Sequence, residues 1–148
     1  VKKPLRKPTP EAVLEFAVAT IETYFRIEAI TQSIGGFAQA GGEWGVMKTL
    51  IREGPHTVPE IARSRPVSRQ HCQTIVNHLY EKGFVEFIEN PKHKRSVLVQ
   101  VSKKGRKHFD DMTKLFLRAS ADYAHHFDAA DIETTTATLR HAREVLVI

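Results

Sequence analysis

Two short stretches of this 148-residue chain gather side chains that can read or grip a polyanion. The first is Ser68, Arg69, Gln70, His71, Gln73, Thr74 and Asn77. Gln and Asn amides can bond adenine through a donor and an acceptor together, Arg can bond guanine, and Ser can take a phosphate oxygen. The second is Lys92-His93-Lys94-Arg95, with no carboxylate among the four. An arginine from such a loop can enter the narrow, electronegative minor groove of DNA. Charge along the chain points the same way. Residues 43–108 hold 13 Lys/Arg against 6 Asp/Glu, a net of +7, while residues 1–42 carry +1 and residues 109–148 carry −3. A basic segment attracts phosphate backbones by Coulomb force and counterion release.

Other chemistries find little support. The single Cys72 excludes an intramolecular disulfide framework and a cysteine-cluster metal site. It falls on the inward side of a predicted helix, where a thiol packs as an inert apolar group. The eight histidines include no HExxH spacing. His108 has Asp111 and Met112 at helical spacing, and His125-His126 follow later, but adjacent histidines on a helix diverge. Structural or surface roles are expected for them, with no metal and no cofactor. Asp110-Asp111 diverge for the same reason. There is no phosphate-binding glycine loop, nucleophile elbow or Cys-His pattern, so an enzyme is not expected. No apolar run is long enough to span a membrane, and the basic start, residues 1–10, leads into no signal-type apolar run. A cytoplasmic, nucleoid-associated protein is expected.

The elements that must position the two polar stretches can be read from capping and periodicity. Residues 1–8 look like a basic arm. Thr9-Pro10-Glu11 is a helix start, with a hydroxyl cap, a first-turn proline and an acid against the dipole. Val13, Phe16, Ile21, Phe25, Ile30 and Phe37 recur at helical spacing, and Gly41-Gly42 is expected to end the segment. That helix is apolar on more than one side, more than one small domain easily covers. Glu43–Glu53 is then a short helix with Val46, Met47, Leu50 and Ile51 inward, stopped by Gly54-Pro55.

Thr57-Val58-Pro59-Glu60 is a capping box opening another short helix. Arg65-Pro66-Val67 breaks it, and Ser68 caps a helix to about Lys82 with Cys72, Ile75, Val76 and Leu79 inward. Residues 84–88 and 96–101 are β-prone, and the cationic stretch is the tip of the hairpin between them. The core of this lobe is expected from Leu50, Ile61, Ile75, Leu79 and Val97. Ser102 caps a helix running to about Phe127, and Asp128 caps a last one with Ile132, Thr135, Leu139, Ala142 and Leu146 in a stripe. Two helices across a tight turn, the second polar outside and anchored inside, make a helix-turn-helix, with the second helix suited to the major groove.

Val67-Ser68-Arg69-Gln70 followed by Leu79-Tyr80-Glu81-Lys82-Gly83-Phe84-Val85-Glu86 resembles the recognition helix and first wing strand of MarR-type winged-helix regulators. Asn90-Pro91-Lys92-His93-Lys94-Arg95-Ser96 and then Val99-Gln100-Val101-Ser102-Lys103-Lys104-Gly105 resemble that family's wing and the helix start after it. The motif resemblance covers about residues 43–108, and the flanking helices fit by layout. Two features depart from the pattern. The family commonly places an acid before two arginines at the wing tip, where this chain has His93-Lys94-Arg95. It also often has a Leu-Gly turn where Arg65-Pro66 stands.

The resemblance implies a mainly α protein. Its parts would be the arm (1–8), an N-terminal dimerisation helix (9–42), a winged helix-turn-helix lobe with a two-stranded wing (43–108) and C-terminal dimerisation helices (109–148). It implies a homodimer on a pseudo-palindromic double-stranded operator, read by Ser68, Arg69, Gln70, His71, Gln73, Thr74, Asn77 and the wing residues Lys92, His93, Lys94 and Arg95. It also implies release from DNA by a small aromatic or phenolic effector, in a pocket near Phe37 and Trp44. Trp44, taken alone, reads as a core residue. A winged-helix interaction or oligomerisation module that does not read DNA is the alternative, although such a module has no need of Arg69, Lys92, Lys94 and Arg95 on one face.

Overall fold

The computed structural model describes residues 6–34, 37–65 and 67–146, with the backbone alone over 37–41. The fold is mainly α with a two-stranded antiparallel wing. It divides into two units, residues 1–106 and 107–148.

In the first unit, α1 (Pro10–Ser33) starts where Thr9 Oγ1 accepts from the Ala12 amide at 3.2 Å. None of its residues is buried. Helix α2 (Phe37–Glu53) begins well before the Glu43 start expected from the sequence, and Gly41-Gly42 lies within it. Interior glycines cost a helix about 1 kcal/mol each relative to alanine. Close packing explains why two of α2's glycines sit there. A Cβ on Gly42 would lie 2.9 Å from Ile75 Cδ1, and one on Gly45 would collide with the Arg65 guanidinium.

Helix α3 (Val58–Ser64) opens with the full capping box. Glu60 accepts from the Thr57 amide at 2.8 Å and from its hydroxyl at 2.7 Å, and the Glu60 amide returns a bond to Thr57 Oγ1 at 3.4 Å. Ser68 Oγ accepts from the His71 amide at 3.1 Å to start α4 (Arg69–Glu81). Gly83 ends α4 with φ +73° in a Schellman motif: its amide bonds Tyr80 O and the Phe84 amide bonds Leu79 O.

The lobe core is Val46, Met47 and Leu50 of α2, Val58, Ile61 and Ala62 of α3, Cys72, Ile75, Val76 and Leu79 of α4, and Val85 and Val99 of the wing. Each fully buried large aliphatic side chain stabilises by roughly 1.5–3 kcal/mol. Val97 is not part of this core. It stands 54% exposed while Val99 is buried. The two share strand parity, but Val97 lies outside the ladder of β1 (Val85–Ile88) and β2 (Leu98–Val101), whose register pairs Ile88 with Leu98 and Val85 with Val101. A further bridge, unexpected from sequence, ties His56 to Val99 through bonds of 2.8 and 3.2 Å.

Helix α5 (Lys103–Ala124) starts where the Gly105 amide bonds Ser102 Oγ at 3.0 Å, and Ser102 Oγ donates to Gly83 O at 2.6 Å. Gly105 presses on the Phe84 carbonyl, leaving no room for a Cβ. In the second unit, α6 (Ala129–Val145) is capped by Asp128, which accepts from the Ala130 and Asp131 amides. Ile132, Leu139 and Leu146 of the expected stripe are exposed. His125 and His126 do not diverge as expected. They lie past the last helical residue, in the α5–α6 turn, where their rings approach to 3.9 Å.

Candidate nucleic-acid interface

Helix α4 has two unlike faces. Cys72, Ile75, Val76 and Leu79 are buried, while Arg69, Gln70, His71, Gln73, Thr74 and Asn77 are exposed, as is the capping Ser68. The 3.6-residue period puts the polar set opposite the core, so a packed lobe holds the helix while its outer face stays open. Gln73 Nε2 donates to Asn77 Oδ1 at 2.9 Å. That bond orients both amides and leaves Gln73 Oε1 as acceptor and Asn77 Nδ2 as donor, the pair an adenine edge requires. The Thr74 hydroxyl donates to Gln70 O at 3.1 Å and so has only its acceptor lone pairs left to offer. Ser68 Oγ is used as an acceptor by its cap, which leaves its proton for a phosphate.

At the junction of α3 and α4, Pro59, Ala62, Arg63, Val67 and Arg69 line an open cavity of about 270 Å³. Arg63 carries no signal of its own in the sequence, because the seven-residue helix that holds it is too short for a period to mark its outer face. Arg65 turns inward instead. Its guanidinium lies over Gly45, and burial lowers its pKa. Cys72 is fully buried, its Sγ 3.8 Å from Val58 O, and burial raises its pKa.

The wing presents Lys92, His93, Lys94 and Arg95, all exposed. Beneath them Asn90 is only 9% exposed. Its Oδ1 accepts from the Lys92 amide at 3.0 Å and its Nδ2 donates to Ser96 Oγ at 3.1 Å. The Ser96 amide bonds His93 O at 3.0 Å, and the His93 amide bonds Asn90 O at 3.2 Å. Asn followed by Pro is a turn signal, and an Asn side chain bonding the amide two residues on is an Asx turn.

Of the two residues assigned to an effector pocket, Trp44 is half-buried with Lys48 Nζ 4.9 Å from its ring centroid. The Phe37 side chain lies outside the described residues. Among the described residues there is no cluster of three metal-ligating side chains, and no helix is long and apolar enough to cross a membrane.

The family model for MarR matches residues 39–96. An uncharacterised protein of Mycobacterium tuberculosis is 30% identical over 105 residues, covering 71% of each chain. Among solved structures, a MarR family protein from Bacillus stearothermophilus superposes with a TM-score of 0.71 at 15% identity, over 93% of this chain and 97% of that one. BpsR of Bordetella bronchiseptica, whose DNA binding is regulated by 6-hydroxynicotinic acid, superposes with a TM-score of 0.70 at 16% identity, over 94% and 96%. At these identities the structural likenesses carry the fold, and the sequence matches carry the kinship. Family profile, relative and fold agree with the order of capped helices and wing built above: the chain belongs to the MarR family, whose members are transcription regulators and not enzymes.

Proposed function

We propose that this chain is a sequence-specific, double-stranded-DNA-binding transcription regulator acting as a homodimer. The observation that carries the reading is the division of α4 into a wholly buried apolar face and a wholly exposed face of amides, hydroxyls and Arg69. In this reading Ser68, Arg69, Gln70, His71, Gln73, Thr74 and Asn77 enter the major groove. Base edges are read by Arg69, Gln73 and Asn77, while Ser68 and Arg63 hold phosphates. Lys92, His93, Lys94 and Arg95 follow the backbone into the adjacent minor groove.

A small planar organic acid or phenol is the proposed effector, from the fold shared with regulators such as BpsR. Phe37 and Trp44 are the proposed pocket residues. Such a molecule acts only if it binds the DNA-free and DNA-bound forms with different affinity.

Selection of bound sequences from a random duplex pool, followed by gel shift, tests the reading. Arg69→Ala and Gln73→Ala should each relax preference at one position, costing about 1–3 kcal/mol on selected DNA and little on mixed-sequence DNA. Arg95→Ala should weaken all sequences alike. Failure to bind any duplex at low salt refutes the function. Equal losses on selected and mixed DNA from Gln73→Ala refute its role in reading bases. A panel of hydroxylated aromatic acids added to the gel shift tests the effector. Binding that leaves operator affinity unchanged would remove that part.

A further inference from the structure

We propose that Asn90 and Ser96 are positioning residues that form an uncharged bracket across the wing, fixing the tip while leaving all its cations for phosphate. The proposal rests on the DNA-binding reading above and identifies what sets the wing's share of it. Five bonds close the bracket: Asn90 Oδ1 from the Lys92 amide, Asn90 Nδ2 to Ser96 Oγ, Ser96 Oγ to His93 O, the Ser96 amide to His93 O and the His93 amide to Asn90 O. They join both ends of the loop, so the backbone from 90 to 96 is held from within.

Asn90 is buried, and its amide can supply acceptor and donor at once, which neither a carboxylate nor an apolar residue can do there. Lys92, Lys94 and Arg95 are all exposed, and among the described residues nothing bonds or pairs with their side chains. A carboxylate that fixed the tip by pairing with one of these cations would cancel one positive charge. The neutral bracket fixes the same loop and cancels none. Each cation that neutralises a phosphate steepens the fall of affinity with salt by about 0.9 in log–log slope. The bracket therefore converts turn geometry into electrostatic contact number.

The test uses the full chain and a mixed-sequence duplex, titrated from about 50 to about 200 mM salt. Arg95→Ala should flatten the salt slope by about 1. Asn90→Ala should flatten it too, although it removes no charge, and should weaken low-salt binding about tenfold, roughly what one lost phosphate contact is worth. In the double variant the two losses should fall short of multiplying, because the contact that Arg95 makes is among those the bracket holds in place. Hydrogen exchange at the Lys92 and Ser96 amides should speed up in Asn90→Ala without DNA present. Ser96→Ala should show the same pattern more weakly, and Ser96→Thr should restore it.

A wild-type slope and wild-type amide protection in Asn90→Ala, or losses that multiply with Arg95→Ala, overturn the bracket. If Asn90→Ala fails to fold, the Ser96→Ala and Ser96→Thr pair decides by the same readouts. A wild-type chain that binds no duplex refutes the DNA reading itself. Arg95→Ala behaving as stated while Asn90→Ala does not refutes the bracket alone.

Discussion

Lys82 donates from Nζ to both carboxylate oxygens of Glu43, at 2.9 and 3.1 Å, and so ties α2 to the C-cap of α4. The two ends of this pair stand in different surroundings. The Glu43 side chain is 7% exposed and that of Lys82 48%. Removing Lys82 leaves a carboxylate in a place poor in water, whereas removing the charge of Glu43 leaves an ammonium that reaches solvent. Lys82→Ala should therefore destabilise the lobe by about 1–3 kcal/mol, less than a fully buried pair because half of Lys82 is already in water. Glu43→Gln should cost less. Urea unfolding of both variants checks the asymmetry, and the reverse order would show that the pair's environment has been misjudged.

Two glycines separate backbone strain from steric contact. Gly54 has φ +87° and no atom within 4 Å of a would-be Cβ, so Gly54→Ala should cost only the left-handed penalty of about 1–2 kcal/mol. Gly105 is helical, but its Cβ would strike the Phe84 carbonyl, which is backbone tied to the Ser102 amide at 3.0 Å and cannot step aside. Gly105→Ala should cost about 3 kcal/mol or more, since overpacking here moves the wing against α5. Comparable shifts in the urea midpoints of the two variants would contradict this.

What could be read in the sequence follows from the range of the interaction involved. Thr57 with Glu60, Ser68 and Asp128 are caps made within three residues, so sequence alone locates them. The buried and exposed sides of α4 follow from period as well. The start of α2 does not follow, because Gly41-Gly42 looks like a terminator until Ile75, distant in sequence, is seen against Gly42. Parity puts Val97 on the same side as Val99, but it cannot say that the ladder ends at Leu98. Bracketing of the wing tip by Asn90 was hidden by its neighbours, since a polar residue before a cationic run reads as exposed loop.

Acid should loosen the helix-turn-helix through Glu60. Bonds from the Thr57 backbone amide and hydroxyl hold its pKa below the ordinary 4.5. Between the lowered value and 4.5 the folded state binds fewer protons than the unfolded one. The box's contribution is thus complete above the unfolded value and is lost as pH falls through the folded value. Glu60→Gln should remove that part of the acid-side slope. Thr57→Ala should remove it too, and should cost about 1 kcal/mol at neutral pH through the lost cap. Urea midpoints followed from neutral pH into the acid range give the slopes, and an unchanged slope in Glu60→Gln would assign the acid sensitivity elsewhere.

Assembly is the prediction with the widest consequence. Leu14, Val18, Ile21 and Phe25 recur at helical spacing along α1, and Leu14, Ile21 and Phe25 are 66%, 56% and 60% exposed. Ile132, Leu139 and Leu146 are exposed at the C-terminal end of the chain, on α6 and its cap. Exposed apolar stripes of this kind mark interfaces, and a twofold axis buries the same stripe from both chains. Two copies of α4 would then meet DNA about one helical turn apart, ~34–36 Å, or a multiple of it, giving the pseudo-palindromic site. Ile21→Asp with Phe25→Asp should shift the protein toward monomer. Deleting residues 128–148 should destroy dimerisation and specific binding while the winged lobe keeps weak, salt-sensitive affinity for any duplex. Sedimentation velocity with and without selected DNA measures both. A wild-type monomer that binds its selected site stably, or a truncated chain that binds it as tightly as the full one, would show that these faces serve something other than the dimer.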